Sequence, residues 1–148
     1  MPPLTIYFAG AISGGRADVA HYRRIVQALE ADGHRVLAGA VASEDVGSGG
    51  EALDAAAIFG RDLRWLEEAD LLVAEVSMPS TGVGYEVATM RYRWRKPVLC
   101  LYRAEYTSRC SAMIAGDAEI ELLEYTESED LLSRLRSALA KYTTVTKG

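Results

Sequence analysis

Two rhythms of apolar and polar positions follow each other along the chain: short β-prone runs, and longer stretches in which apolar residues recur every three or four positions. Residues 4–9, Leu-Thr-Ile-Tyr-Phe-Ala, predict a first strand that breaks at Gly10. Over residues 16–31, Val19, Tyr22, Ile25, Val26 and Leu29 keep helical spacing, and Gly33 supplies the residue that ends the helix. Residues 34–38 predict a weak second strand, and 43–51, with three glycines, a loop. A helix over 52–69 carries Leu53, Ala56, Phe59, Leu63 and Leu66 toward a core, and 70–76 predict a buried parallel strand because both faces are apolar through its centre. The pattern continues with a loop at 79–84, a helix at 85–94, a strand at 97–102, a short helix near 111–114, a strand at 119–125 and a helix at 128–141. Strands alternating with helices throughout predict an α/β fold. Its five-stranded parallel sheet is covered by helices on both faces, in one domain spanning 1–148.

Composition narrows the role more than the fold. The 148 residues suit one compact domain. No apolar run approaches the ~20 residues of a membrane span, so no membrane partner is expected. The first residues lack the basic and apolar regions of a secretory signal, which predicts a cytoplasmic or nuclear protein. With a net charge of −5 and scattered Lys and Arg, there is no basic stripe for a nucleic-acid polymer, and any bound nucleotide should be small. Cys100 and Cys110 read as plain thiols, and no metal site is expected.

In open parallel sheets, ligands bind beyond the carboxyl ends of the strands near the point where strand order reverses. That rule selects residues 10–16, 77–86 and 102–111. The first, G-A-I-S-G-G-R, leads directly into a helix, so its N–H groups and the helix dipole suit an anion; glycines there also serve ordinary turns. The second places two glycines and two hydroxyls before Glu86, read as lying in the first turn of a helix. Asp62 lies mid-helix on the face of Phe59 and Leu66, although an Asp between Arg61 and Arg64 is also a natural solvated residue. Two carboxylates at one sheet edge are what glycosidic bond cleavage requires: one attacks the anomeric carbon and the other protonates the leaving group. They must be kept unequal, and Tyr7, read as lying at the end of the first strand, could hold one ionised by hydrogen bonding. The plainer reading makes Tyr7 a large strand residue.

These residues carry a resemblance. The strings I-Y-F-A-G-A-I-S-G-G-R (6–16), R-D-L-R-W-L-E-E-A-D (61–70), V-A-E-V-S-M-P-S-T-G-V-G-Y-E (73–86), K-P-V-L-C-L-Y-R (96–103) and S-A-M-I (111–114) span nearly the whole chain. They resemble the 2'-deoxynucleoside 5'-phosphate N-hydrolases of the Rcl type, within the nucleoside 2-deoxyribosyltransferase superfamily. The resemblance implies a flavodoxin-like Rossmann fold, a homodimer, no metal and no cofactor. It implies Glu86 as nucleophile, Asp62 as the residue handling the base's proton, and Tyr7 as the partner of Glu86. The implied substrate-binding set is Gly10, Ile12, Ser13, Gly14, Gly15, Arg16, Ser80, Gly82, Gly84, Ser111 and Met113, with Ser111 reaching the neighbouring subunit's site.

The chain departs from that pattern at Ala11 and Ser13, where the best-known members have Ser and Arg, so fewer phosphate contacts remain in the glycine loop. Base preference does not carry over, because residues 38–42 differ in composition. Base exchange by a transferase, a non-catalytic nucleotide sensor and a receiver-like domain stay open as alternatives. Against the receiver, the end of the first strand reads Tyr-Phe-Ala-Gly in place of an acidic cluster.

Overall fold

The computed structural model describes residues 2–12, 16–38, 53–105, 110–126 and 128–145, without the side chains of 16, 17, 128, 129 and 143–145. The predicted loop at 43–51 and the candidates Ser13, Gly14 and Gly15 lie outside the described residues.

The order is β1 (Thr5–Gly10), α1 (Arg16–Ala31), β2 (Arg35–Leu37), α2 (Ala55–Glu68), β3 (Leu71–Glu75), α3 (Thr81–Ala88), β4 (Val98–Arg103), α4 (Ala112–Ala115), β5 (Ile120–Tyr125) and α5 (Ser128–Val145). All five strands are parallel, in the order β2-β1-β3-β4-β5. This is the flavodoxin-like doubly wound arrangement, with its switch point between β1 and β3.

Alternation along each strand divides the core in two. Ile6, Phe8, Leu71, Val73, Leu99 and Leu101 face α1 and α5, packing on Tyr22, Ile25, Leu29, Leu131 and Leu135. Tyr7, Ala9, Leu72, Ala74 and Cys100 face the other way, onto Leu66, Val83, Val87 and Met90 of α2 and the α3 region. Each fully buried Leu or Ile contributes about 1.5–3 kcal/mol, so the inner strands anchor both layers. Gly33 takes φ +94 after α1, and the N–H of His34 bonds back to the carbonyl of Leu29 at 3.1 Å, closing the helix as the sequence predicted.

Three expectations require correction. The third helix begins at Thr81, four residues before the expected start: Ser80 caps it, its Oγ accepting the N–H of Val83 at 3.2 Å, and the two glycines are absorbed into the first turn. Glu86 therefore sits in the second turn. Tyr7 is mid-strand, the third of six residues in β1, and reaches the site from the sheet's face. Of the stripe Leu53, Ala56, Phe59, Leu63 and Leu66, Leu53 precedes α2 and only Leu66 is buried; Leu53 and Phe59 are about half exposed. Asp54 caps α2, accepting the N–H of Ala57 at 2.8 Å.

Past Ala88 the third helix widens into a π-helical turn, Thr89–Arg93, in which the Thr89 hydroxyl donates to the carbonyl of Tyr85 at 2.7 Å. Arg91 fixes this turn to the segment before β5 by a two-pronged bond to Asp117 at 2.8 and 2.9 Å.

Candidate active site

The sheet brings Tyr7, Asp62 and Glu86 together from three elements. Tyr7 points off the middle of β1 toward α2 and α3, is 5% exposed, and its hydroxyl lies within hydrogen-bonding reach of both carboxylates. Burial and the two negative neighbours push the Tyr7 phenol far above its usual range, so it stays protonated and can only share that one proton. Glu86 is half-buried, and burial raises its carboxyl to about 7; the Tyr7 hydrogen bond pulls in the opposite direction, Asp62 adds to the rise, and Arg61 opposes it. The sequence reading expected Tyr7 to keep Glu86 ionised. The hydrogen bond is present, but desolvation outweighs it.

Asp62 is held from its own helix. Arg61 donates to Oδ1 through Nε at 3.0 Å and approaches it through Nη2 at 2.9 Å, while the guanidinium lies over the Trp65 ring at 4.6 Å. Asp62 is thus a paired, partly buried carboxylate facing Tyr7, rather than a solvated one. Outside the carboxylates, the rings of Phe59 and Tyr85 meet edge to face at 6.2 Å across the seam between α2 and α3.

The glycines separate by what surrounds them. A Cβ at Gly10 would sit 2.9 Å from the Tyr22 ring, so packing alone demands glycine there. A Cβ at Gly84 would meet nothing, and one at Gly82 would lie 3.9 Å from Glu86 Oε1 and Ser80 Oγ. Glycine within a helix costs about 0.5–1 kcal/mol relative to Ala, and the chain's own packing does not call for it at either position. Of the two, Gly82 leaves the space beside Glu86 open.

Ser80, Gly84, Ser111 and Met113 line a second space, a cavity of about 770 Å³ between α3 and α4 that none of Tyr7, Asp62 and Glu86 borders. Ser111 caps α4, accepting the N–H of Met113 at 3.2 Å, and Met113 is 84% exposed. Within one chain, then, the expected residues form two groups on either side of α3. Ile12 is half exposed just beyond β1, and Arg16 opens α1. Cys100 is buried, its thiol pushed up to about 12 by burial, and Cys110 is free as well. Among the described residues, no group of three or more His, Cys, Asp or Glu is placed to hold a metal, and no helix is long and apolar enough to cross a membrane.

The sequence reading missed Arg61 as the partner of Asp62, and it missed a polar cluster beneath the switch point. Glu75, the last residue of β3, is 1% exposed and accepts the Tyr125 hydroxyl at 2.7 Å and the N–H of Ser77 at 2.7 Å. A carboxylate at the end of the apolar run L-L-V-A-E-V was the available signal.

Comparison with known proteins gives a consistent result. A family model described as nucleoside 2-deoxyribosyltransferase matches residues 6–122. A protein of Syntrophotalea carbinolica named as a 2'-deoxynucleoside 5'-phosphate N-hydrolase is 40% identical over 138 residues, 93% of this chain and 96% of its own length. The 5-hydroxymethyl-dUMP N-hydrolase of Mus musculus is 43% identical over 134 residues, 86% of this chain and 75% of its own. Among solved structures, a CMP N-glycosidase of Clostridium botulinum shares the fold with a TM-score of 0.66 at 16% identity, over 89% of this chain and 98% of its own. A receiver domain of a Clostridium thermocellum response regulator shares it less closely, with a TM-score of 0.53 at 16% identity over 96% and 99% of the two chains.

Proposed function

Because this chain belongs to the nucleoside 2-deoxyribosyltransferase family, we propose that it hydrolyses the N-glycosidic bond of 2'-deoxynucleoside 5'-monophosphates, releasing the free base and 2-deoxyribose 5-phosphate. The observation that carries this reading is the convergence of Asp62 and Glu86 on one tyrosine hydroxyl.

A carboxyl raised to about 7 beside a second carboxylate lets the pair retain a proton near neutrality while one member attacks. In the reaction, an ionised Glu86 oxygen bonds to C1' as the C1'–N bond breaks, and Asp62 passes a proton to the departing base. Water then attacks C1' of the deoxyribosyl ester, gives a proton to Asp62 and releases the Glu86 carboxylate, so that one water is consumed for each base freed. The positive charge that develops at C1' favours the ionised form of Glu86 at the moment of attack. Without a 2'-hydroxyl to withdraw electrons, the sugar reaches this oxocarbenium-like state more readily. The backbone around Ala11 and Ile12, with Ser80, suits the 5'-phosphate.

The active unit in this reading is a homodimer. Phe59, Tyr85, Tyr92 and Met113 are between half and five-sixths exposed, an apolar surface that a second copy would bury, and Ser111 would then serve the neighbouring site. A free nucleotide as substrate places the protein in the cytoplasm or nucleus.

The test is incubation of the full chain with each of the four deoxynucleoside monophosphates. Free base and 2-deoxyribose 5-phosphate are expected, whereas a folded protein that leaves all four intact would sink the proposal. The description of the matching family favours one second reading, exchange of bases; a new nucleotide formed on adding a second free base would establish it.

A further inference from the structure

On the opposite face of the sheet from Glu86, a group of polar side chains lies buried where an α/β core normally holds only apolar ones. Its centre is Glu75, which is paired in register with Gly10 of β1 and Leu101 of β4, at the switch point itself. Glu75 Oε1 accepts the N–H of Ser77 at 2.7 Å, and Oε2 accepts the Tyr125 hydroxyl at 2.7 Å and lies 3.4 Å from Arg103 Nε. Tyr125, 2% exposed at the end of β5, also lies 3.2 Å from Arg103 Nε and 2.6 Å from His21 Nε2. Its one hydroxyl proton goes to Glu75, so both of these neighbours are donors and His21 carries its proton on Nε2. Burial first, and then Arg103, lower His21 to about 4, leaving the ring neutral near pH 7.

The same cluster reaches each of the three segments that border the switch point. Arg103 Nη2 donates to Asp18 Oδ1 at 3.0 Å in the first turn of α1, and the Arg103 N–H donates to Ser77 Oγ at 2.9 Å. Beside it on α1, the Tyr22 ring fills the space over Gly10, and its hydroxyl is hydrogen-bonded to the backbone of Ala11. The segment after β3 and the ends of β4 and β5 are therefore cross-tied through Glu75, Arg103 and Tyr125, and Arg103 carries the tie on to α1, from which Tyr22 holds Ala11 after β1. Burying an ion pair commonly stabilises a fold no better than apolar residues of similar volume. What the pair adds is directional: each bond fixes one loop relative to another.

We infer that Glu75, Tyr125 and Arg103 are positioning residues that hold the backbone after β1 and the Ser77–Ser80 turn at the separation a 5'-phosphate needs. This deepens the reading above and rests on its placement of the phosphate. None of the three touches the reacting carbon. Their effect should fall on recognition of the phosphate rather than on bond breaking.

The experiment compares wild type, Tyr125→Phe and Glu75→Gln in the full chain, using a deoxynucleoside 5'-monophosphate and the same nucleoside without phosphate. For Tyr125→Phe, KM for the nucleotide should rise about tenfold, the scale of one lost hydrogen bond, with a much smaller change in kcat. The preference for nucleotide over nucleoside, as the ratio of their kcat/KM values, should fall by a similar factor. A role in stability alone would lower Tm and leave that ratio where it was, which would overturn the inference. Amide exchange without substrate supplies a second measurement. In Tyr125→Phe, exchange at Ala11 and at Ser77 should accelerate together, and acceleration confined to one of the two segments would also overturn it. A wild type that cleaves neither substrate counts against the proposed activity, and the exchange measurement then decides this inference by itself.

Discussion

Two tyrosines meet two glutamates on opposite faces of one sheet, and the two pairs are built for different work. Tyr125 and Glu75 lie at strand ends with a cation beside them, Arg103, which in turn reaches Asp18. That one guanidinium lies against both carboxylates, Glu75 at 3.4 Å and Asp18 at 3.0 Å, Glu75 also accepts the Tyr125 hydroxyl and the N–H of Ser77, and the result is a tie between strand ends. Tyr7 and Glu86 lie between strand and helix with a second carboxylate, Asp62, as neighbour; the nearest compensating charge, Arg61, is engaged with Asp62. There the cation contacts only one of the two carboxylates, and burial lifts the other, Glu86, to about 7. The same two residue types give a structural tie where a cation contacts the glutamate directly and a reactive acid where it does not.

The largest effect expected from breaking the reactive pair is loss of turnover. Glu86→Gln should lower kcat by about 10³-fold or more, measured as base released from a deoxynucleoside monophosphate, because it removes the attacking oxygen. Retention of more than a tenth of the activity would remove Glu86 from the mechanism. Asp62→Asn should cost about 10²–10³-fold through loss of proton delivery, with the smallest loss for substrates whose base leaves most easily. An equal loss for every base would argue instead for a role in placing the sugar.

Tyr7→Phe sharpens the contrast through pH. In the wild type, attack by an ionised Glu86 needs the pair's one proton on Asp62, so the rate should fall as that proton is lost through about 7. The Tyr7 hydrogen bond pulls the Glu86 carboxyl down, so its removal should move this descending limb of the pH–rate profile to higher pH. A limb that stays in place would remove Tyr7 from the tuning of the pair, and a rate that climbs through this range would mean that the departing base takes no proton from it.

Gly82→Ala sets a gain in stability against a loss of access. The methyl group would stand 3.9 Å from Glu86 Oε1, so KM should rise severalfold while the helix gains about 0.5–1 kcal/mol, read from Tm. Unaltered kinetics would mean that the sugar approaches from elsewhere.

The smallest effect concerns stability as a function of pH. Folding raises Glu86 above its ordinary value of 4.5, so its contribution is fully present below about 4.5 and is lost as pH rises through about 7. Glu86→Gln should therefore match the wild type in denaturant unfolding at pH 4. At pH 8 it should be more stable by about 1–2 kcal/mol, allowing for partial exposure. A difference of the same size at both pH values would trace to packing instead.

Much of this was legible in the sequence. The element order, the parallel sheet and the end of α1 at Gly33 follow from periodicity and one glycine, because strand and helix spacing are local properties of the chain. Position 86 was legible as a candidate because Asp62 supplied the second carboxylate that glycosidic cleavage needs, although the start of its helix was misplaced: Ser80 in a cap and Ser80 in a loop are written alike. The apolar stripe of α2 was legible but was assigned to a core that one chain covers only at Leu66.

The sequence by itself determined which residues could do chemistry and on which element each would ride. Tertiary structure alone decided that Tyr7, Asp62 and Glu86 share a hydroxyl, that Arg61 lies on Asp62 and not on Glu86, and that Glu75 joins the segment after β3 to the ends of β4 and β5. The reason is physical: apart from Arg61 beside Asp62 and Ser77 near Glu75, these hydrogen bonds and Coulomb interactions join groups 24 to 79 positions apart in the chain, whose distances only the strand order sets, and burial, which lifts Glu86, is a property of everything packed around it.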